Sequence, residues 1–239
     1  MMKNKKWVVF VGNFLFKYRS YFFVPVLLAL VIFTNPQMPF GSHLANNFLN
    51  IFGIIIALLG FFVRVFVIGY KKPKTSGRGT NIDVEQVVTD GMYLTCRNPL
   101  YFANFLMWLG LTIVWWEVHF FVTIVIFFAV EYFFIIKAEE SYLSAKFGKV
   151  YDDYRNSVGA FFPQIKNLKK PDRPFNWEKI LQNESNLFLM ILLFVPLFQM
   201  YEDTLWDSGS SQKSIISLLV TFVLTIVWGM NYYRLKKGR

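Results

Sequence analysis

Two short polar runs in an otherwise apolar chain have the residue types for chemistry. The first is Arg97-Asn98-Pro99-Leu100-Tyr101 and the second is Glu139-Glu140. Asn98 is a good N-cap, and Pro99 at the first helical position loses no hydrogen bond while presetting the helical φ. A helix that starts there presents free backbone N–H groups and the positive end of its dipole, and with Arg97 alongside this suits a carboxylate or a phosphate. Glu139 and Glu140 are adjacent carboxylates at the C-terminal end of a long apolar helix. The dipole there disfavours negative charge, so Lys137 or a bound cationic ligand must compensate. Each run also has a plainer structural reading. Asn98-Pro99 can simply start a helix while Arg97 anchors to lipid head groups, and the two glutamates can open a solvated surface helix.

The elements that must position these runs are apolar spans. The 239 residues are 55% hydrophobic and 17% charged, against about 45–50% and about 25% for an ordinary soluble domain. With a mean hydropathy of +0.39, this excludes a disordered or nucleic-acid-binding basic protein despite the net charge of +10. Spans long enough to cross a bilayer are predicted at roughly 21–40, 46–70, 99–116, 119–136, 187–201 and 215–233. The expected fold is therefore all-α, a polytopic transmembrane bundle of about six spans. If the spans alternate, every cation except Arg64 and Lys213 falls at the termini or in the two long loops on one side. That bias puts both termini and those loops in the cytoplasm. The short turn at Trp116–Val118 makes spans three and four a tight antiparallel pair, so the two polar runs meet at the same face.

Other features give weaker signals. Residues 7–19 are expected to form an interfacial helix, because Lys17 and Arg19 interrupt the apolar run and no signal-peptidase site follows. Leu143, Phe147, Val150 or Tyr151, Tyr154 and Val158 have the spacing of an amphipathic helix lying along the membrane surface. Arg64 and Glu131 sit at membrane depth, where mutual pairing would relieve both. His43 and His119 are isolated, and Cys96 is the sole cysteine, so neither a metal site nor an intramolecular disulfide is expected. The loop Ser76-Gly77-Arg78-Gly79-Thr80 lacks the lysine pattern of a P-loop.

The run Val88-Thr89-Asp90-Gly91-Met92-Tyr93…Arg97-Asn98-Pro99-Leu100-Tyr101…Asn104…Leu109-Gly110 is followed by a second motif. That motif reads Glu139-Glu140…Leu143…Phe147-Gly148…Tyr151…Tyr154…Val158…Pro163. Together, and in this order, they resemble the isoprenylcysteine carboxyl methyltransferase and phospholipid methyltransferase group, multi-spanning membrane enzymes that use S-adenosylmethionine. The likeness runs from Leu59 to Pro163. It implies cofactor contacts at Gln86, Val87, Val88, Tyr93, Asn98, Pro99, Leu100, Tyr101 and Glu139. Three positions depart from the pattern. Asn98 replaces a histidine and cannot titrate, Ala103 stands near the usual glycine, and Ile135 occupies the place of an arginine found in the farnesylcysteine enzymes, which argues against a prenylcysteine carboxylate.

The expected organisation is an N-terminal helix and first span over 1–45, a methyltransferase core over 46–170, and a two-span extension over 171–239. On this reading Glu139 faces amino or ribose groups of the cofactor, Tyr93 and Tyr101 pack on its adenine or sulfonium, and the Asn98 helix start receives a carboxylate or the acceptor anion. Arg97 and Glu140 are the expected catalytic groups, with Glu140 as base if the acceptor is an amine. The acceptor is a lipid or isoprenoid carboxylate, phosphate or amine reaching the site from the bilayer of a cell inner membrane or endoplasmic reticulum. Two rival readings are a membrane NADPH-dependent reductase of sterol type, which lacks the paired glutamates, and a non-enzymatic scaffold.

Overall fold

The computed structural model describes residues 3–71 and 85–206, with isolated helical positions between 215 and 233. Among the described residues every regular element is a helix: α1 Lys3–Phe33, α2 His43–Gly69, α3 Pro99–Trp115, α4 Val118–Phe147, α5 Lys149–Ser157 and α6 Trp177–Trp206, with short 3-10 turns between some of them. The chain forms two compact units, Met1–Pro174 and Phe175–Arg239. The second contains α6, whose start is capped by Asn176 Oδ1 accepting from the Lys179 N–H at 2.8 Å.

Two described helices, α2 and α4, are long and apolar enough to cross a membrane, and α3 is apolar but only 17 residues long. The anticipated span over 21–40 overlaps α1 only as far as Phe33 and that over 187–201 falls within α6; neither helix joins that pair. The anticipated span over 215–233 lies largely outside the described residues, as does the loop Ser76–Thr80. The outward faces of α2 and α4 are apolar: Leu44, Phe48, Ile55, Leu59 and Phe62 on one, Val122, Ile126, Val130 and Phe133 on the other, all exposed. A continuous apolar exterior of this kind suits lipid and would be a liability in water.

The first unit is an antiparallel arrangement of α1 to α4, held by close backbone approach. Gly53 of α2 lies against Gly110 and Gly60 against Ala103, so the contact runs in opposite directions along α2 and α3. A Cβ placed on either α2 glycine would stand 2.6 Å from the facing carbonyl oxygen. Ala57 completes the small-residue stripe and is fully buried. Gly12 of α1 meets the backbone at Phe134 and the side chain of Ala138 in the same way, and Trp7 packs on Phe134 with ring centroids 5.4 Å apart.

At the far end the chain turns at Trp116, which adopts a left-handed conformation, and Glu117 caps α4 by accepting from the Phe120 N–H at 2.6 Å. That turn is pinned to the α1–α2 connection. Gln37 N–H donates to the Trp116 carbonyl at 3.1 Å, and Trp115 Nε1 donates to Thr34 Oγ1 at 3.2 Å.

Two local expectations are corrected. Residues 7–19 are not a separate interfacial helix: α1 continues through Lys17 and Arg19 to Phe33, because Gly12 and Phe16 are buried on its packed side. It stops short of residue 40 because Pro36 and Pro39 follow, and the residue before a proline avoids helical backbone. The amphipathic surface helix is likewise not continuous. Gly148 breaks it at φ +53° and ψ −131°, a conformation open essentially to glycine alone. Beyond the break, α5 buries Tyr151 and Tyr154, while Val150 points outward.

The backbone contact between α2 and α3 sets a testable limit. Gly53→Val forces the two helices apart and should lower stability by about 2–3 kcal/mol. Gly159→Ala, whose new Cβ meets only the Phe162 carbonyl at an ordinary 3.8 Å, should change it by less than about 0.5 kcal/mol. Thermal unfolding of detergent-purified protein distinguishes the two.

Candidate functional site

The start of α3 and the end of α4 meet, as the hairpin requires, and the chain between Arg155 and Gln164 is laced onto them. Arg97 is at the centre. Its Nε donates to Glu140 Oε1 at 3.1 Å and its Nη2 to the same oxygen. Its Nη1 donates to the Arg155 carbonyl at 2.7 Å and to the Val158 carbonyl. Backbone bonds continue the lacing, from Arg97 N–H to the Gly159 carbonyl and from Gln164 N–H to the Thr95 carbonyl, each 2.9 Å. The Arg97 and Glu140 side chains are 10% and 4% exposed, so this is a buried ion pair whose charges are neutralised in place. Lys137 and Arg155 stand at 3.7 and 3.8 Å from Glu140 Oε2, which has no hydrogen bond.

Asn98 precedes Pro99 at the helix start, but its side chain does not cap α3. It donates instead to the Ala160 carbonyl at 2.9 Å. The expectation of a side-chain cap is therefore corrected: the amide serves the 158–164 segment, and the first-turn N–H groups of α3 receive no cap from it. Glu139, one residue before the buried Glu140, accepts from the Tyr101 hydroxyl at 3.0 Å. The Tyr101 ring packs on Tyr132 with centroids 4.7 Å apart.

These groups surround a cavity of about 310 Å³, at the lower end of the range for small-molecule sites. Its wall brings together the residues that the sequence offered as catalytic or cofactor-binding: Gln86, Val87 and Val88 from the segment before α3, Tyr93 from the turn, Arg97, Asn98, Pro99, Leu100 and Tyr101 from the start of α3, and Glu139 and Glu140 from α4. It also includes groups that the motifs did not single out for the site. Phe16 and Arg19 come from α1, Arg64 from α2, Asn104 from α3, Leu143 from α4, and Tyr151 and Tyr154 from α5. Leu143, Asn104 and the two tyrosines lay within the quoted motifs. Phe16 and Arg19 had no sequence signal beyond a cation interrupting an apolar run.

Arg64 donates to Asn104 Oδ1. Its suggested pairing with Glu131 does not form: Glu131 is buried on α4, and its Oε1 has no hydrogen-bond partner. The segment from Gln86 to Leu94 is anchored from behind. Arg173 donates to the Tyr70 carbonyl and to Asp90, and Pro171 covers Gly91 so closely that a Cβ there would meet it at 2.9 Å. From the other side the Tyr154 hydroxyl donates to the Tyr93 carbonyl at 2.7 Å.

Desolvation, followed by the nearby Glu139 carboxylate, raises the Tyr93 phenol well above its ordinary value, so it stays a neutral donor. Burial also pushes the Cys96 thiol up to about 11. Among the described residues no group of three or more His, Cys, Asp or Glu side chains could hold a metal ion.

The phospholipid methyltransferase family model matches residues 48–150. Over 80 residues the chain is 35% identical to the nickel-cobalt-cadmium resistance protein NccN of Alcaligenes xylosoxydans xylosoxydans, covering 34% of this chain and 37% of that protein. Over 90 residues it is 33% identical to the cobalt-zinc-cadmium resistance protein CzcN of Cupriavidus metallidurans strain CH34, covering 38% and 39%. The chain thus spans well under half the length of either relative. No solved structure matches it.

Two outcomes follow from the geometry. Glu140→Gln or Arg97→Gln strands a buried charge and should each cost about 3–5 kcal/mol, whereas the double replacement Arg97→Met with Glu140→Leu should recover most of that loss; chemical denaturation measures the cycle. Cys96, fully buried and protonated at neutral pH, should resist maleimide in the folded protein and react only after unfolding, as read by intact mass.

Proposed function

We propose, from the match of residues 48–150 to the phospholipid methyltransferase family model, that this chain is an integral membrane methyltransferase. It moves a methyl group from S-adenosylmethionine to a membrane-borne lipid or isoprenoid acceptor. The observation that carries the reading is the convergence of both polar runs on one cavity beside helices with lipid-compatible exteriors. In the proposed topology the chain crosses the bilayer about six times, with its termini and this cavity on the cytoplasmic side, as the placement of its cations favours.

The donor set suits the cofactor. Glu139, half-buried and already held by Tyr101, is placed to meet cationic or hydroxyl groups. The tyrosine rings offer cation–π faces worth about 0.5–2 kcal/mol. Val87, Val88 and Leu100 give apolar surface for a flat base, and the first turn of α3, lacking a side-chain cap from Asn98, offers N–H groups to a carboxylate. Bound there, S-adenosylmethionine would supply an electrophilic methyl group carried on a sulfonium. The protein's own work is then positioning and water exclusion. Tyr101 orients Glu139, α5 covers the cavity with Tyr151 and Tyr154, and the Arg97–Glu140 pair fixes α3 against α4. Such positioning is worth up to roughly 7–11 kcal/mol in favourable model systems. Because Glu140 Oε1 is committed to Arg97, an acceptor that arrives already ionised and needs no base fits this arrangement best.

Membranes containing the chain, supplied with S-adenosylmethionine labelled in its methyl group, should incorporate label into the lipid extract, as read by mass spectrometry. Glu139→Ala should reduce incorporation by at least about tenfold, the cost of one charge-assisted contact. Label in a prenylated peptide would redirect the acceptor, and no label in any fraction would overturn the assignment.

A further inference from the structure

Between Val158 and Lys170 the chain has large apolar residues at Phe161, Phe162, Ile165 and Leu168, lysines at 166, 169 and 170, and no carboxylate. Its path is fixed at the start of α3, where the Gly159 carbonyl accepts from Arg97 N–H and Gln164 N–H donates to the Thr95 carbonyl. Between these ties Phe161 packs edge-on against Phe102 and Phe105 of α3, with ring centroids 5.8 and 5.9 Å apart, and lies 6.4 Å from Tyr132 of α4. Phe105 is about 9 Å along the helix axis from Pro99. The segment therefore bends back from the polar end of the hairpin onto its apolar flank.

The side chains that follow Phe161 are left uncovered. Phe162 and Ile165 are each 75% exposed, and Leu168 is 40% exposed. Lys166, Lys169 and Lys170 are also exposed, and among the described residues none of them makes an ion pair. A 3-10 turn over Ile165–Asn167, closed by Leu168 N–H to the Ile165 carbonyl at 2.9 Å, puts Ile165 and Leu168 on one side and Lys166 on another. Such a patch is a liability in water. At a membrane surface it is suited to both phases, with rings among the acyl chains and ammonium groups reaching out to the phosphates. A zwitterionic leaflet has no net charge to offer three lysines, whereas an anionic one does.

We infer that residues 158–170 are seated in the leaflet beside the α3–α4 hairpin, with Phe162, Ile165 and Leu168 among the acyl chains and Lys166, Lys169 and Lys170 gathering anionic lipid head groups. This rests on the membrane placement proposed above and not on the methyl-transfer chemistry. The same segment gives its Val158 and Gly159 carbonyls to Arg97 and its Ala160 carbonyl to Asn98. The leaflet thus holds the outer side of a strap whose inner side is fastened to the cavity wall.

The test uses the full chain in nanodiscs, with a bimane label at Phe162→Cys or, as a second position, Ile165→Cys. Cys96 is fully buried, so the unmodified chain is the control for labelling. Phosphatidylcholine brominated on its acyl chains should quench both labels, and aqueous iodide should not. Brominated phosphatidylglycerol, as a minor component in phosphatidylcholine, should reach the same quenching at a mole fraction about fivefold lower, the pull of one lysine near an anionic surface. High salt, or the triple replacement Lys166→Gln, Lys169→Gln and Lys170→Gln, should erase that preference while leaving quenching by brominated phosphatidylcholine in place. Iodide quenching at both positions, without lipid quenching, shows a surface left to water or to a protein and overturns the inference. Equal quenching by the two brominated lipids, or a preference that survives the triple replacement, overturns its anionic part. A label at Ile126→Cys, on the exposed face of α4, separates the premises. Its quenching by lipid with none at 162 and 165 strikes this inference alone, and its failure to quench strikes the membrane placement together with it.

Discussion

The cavity exists because Arg97 and Glu140 satisfy one another in a place where neither could remain alone. Taking both charges out of water costs several kcal/mol per ion, and the structure offsets that cost with geometry. One carboxylate oxygen takes two guanidinium nitrogens, and the third nitrogen is spent on the Arg155 and Val158 carbonyls. A single side chain thereby ties together the start of α3, the end of α4 and the segment that leaves α5. Each neighbouring group in the wall inherits its position from that knot. Asn98 can turn its amide to Ala160 because the 158–164 segment is already in place, and Glu139 is left facing inward because the next residue is fastened.

Helix packing supplies the second constraint. With lipid outside, apolar side chains gain little by choosing a neighbouring helix over the bilayer, so association depends on close contact. The glycines at 53, 60 and 110 let α2 and α3 touch at the backbone, and Gly12 does the same for α1 against α4. These seams carry Arg64 and Arg19 to the cavity from two different helices. The polar interior is thus assembled by the smallest residues in the chain, at positions remote from the chemistry.

Much of this arrangement was readable in the residues. The apolar runs around 46–70 and 99–116 anticipate α2 and α3 to within a few positions, and the tight turn after Trp115 is enough to predict that Arg97 and Glu140 lie together. What escaped did so for physical reasons. A helix-start asparagine has a strong local preference for capping, and only the folded path of 158–164 offers Asn98 a better acceptor. Helical spacing runs smoothly through Gly148, and nothing local reveals that its backbone takes a conformation that turns Tyr151 and Tyr154 inward. Arg19 reads as an interruption of an apolar run, because its place in the cavity wall depends on α1 packing against α4 through Gly12, a contact between residues more than a hundred positions apart. α4 extends past 136 with Ala138 and Glu140 buried on its packed side, the latter fastened to Arg97.

The turn at Trp116 lies at the opposite end of the bundle from the cavity, yet it governs the cavity's dimensions. It joins α3 to α4 through a left-handed residue and is bolted to the α1–α2 connection by Gln37 and Thr34. The two helices run antiparallel from that point, in ring contact at Trp115–Phe120, Trp108–Phe128 and Tyr101–Tyr132, with α3 about 25 Å long at 1.5 Å per residue. Over such an arm, one degree of rotation at the pivot moves the tip by about 0.4 Å, comparable to the tolerance of a hydrogen bond. The width of the site is therefore sensitive to an angle set at the other end of the helix pair, by a tryptophan that is not part of the cavity wall.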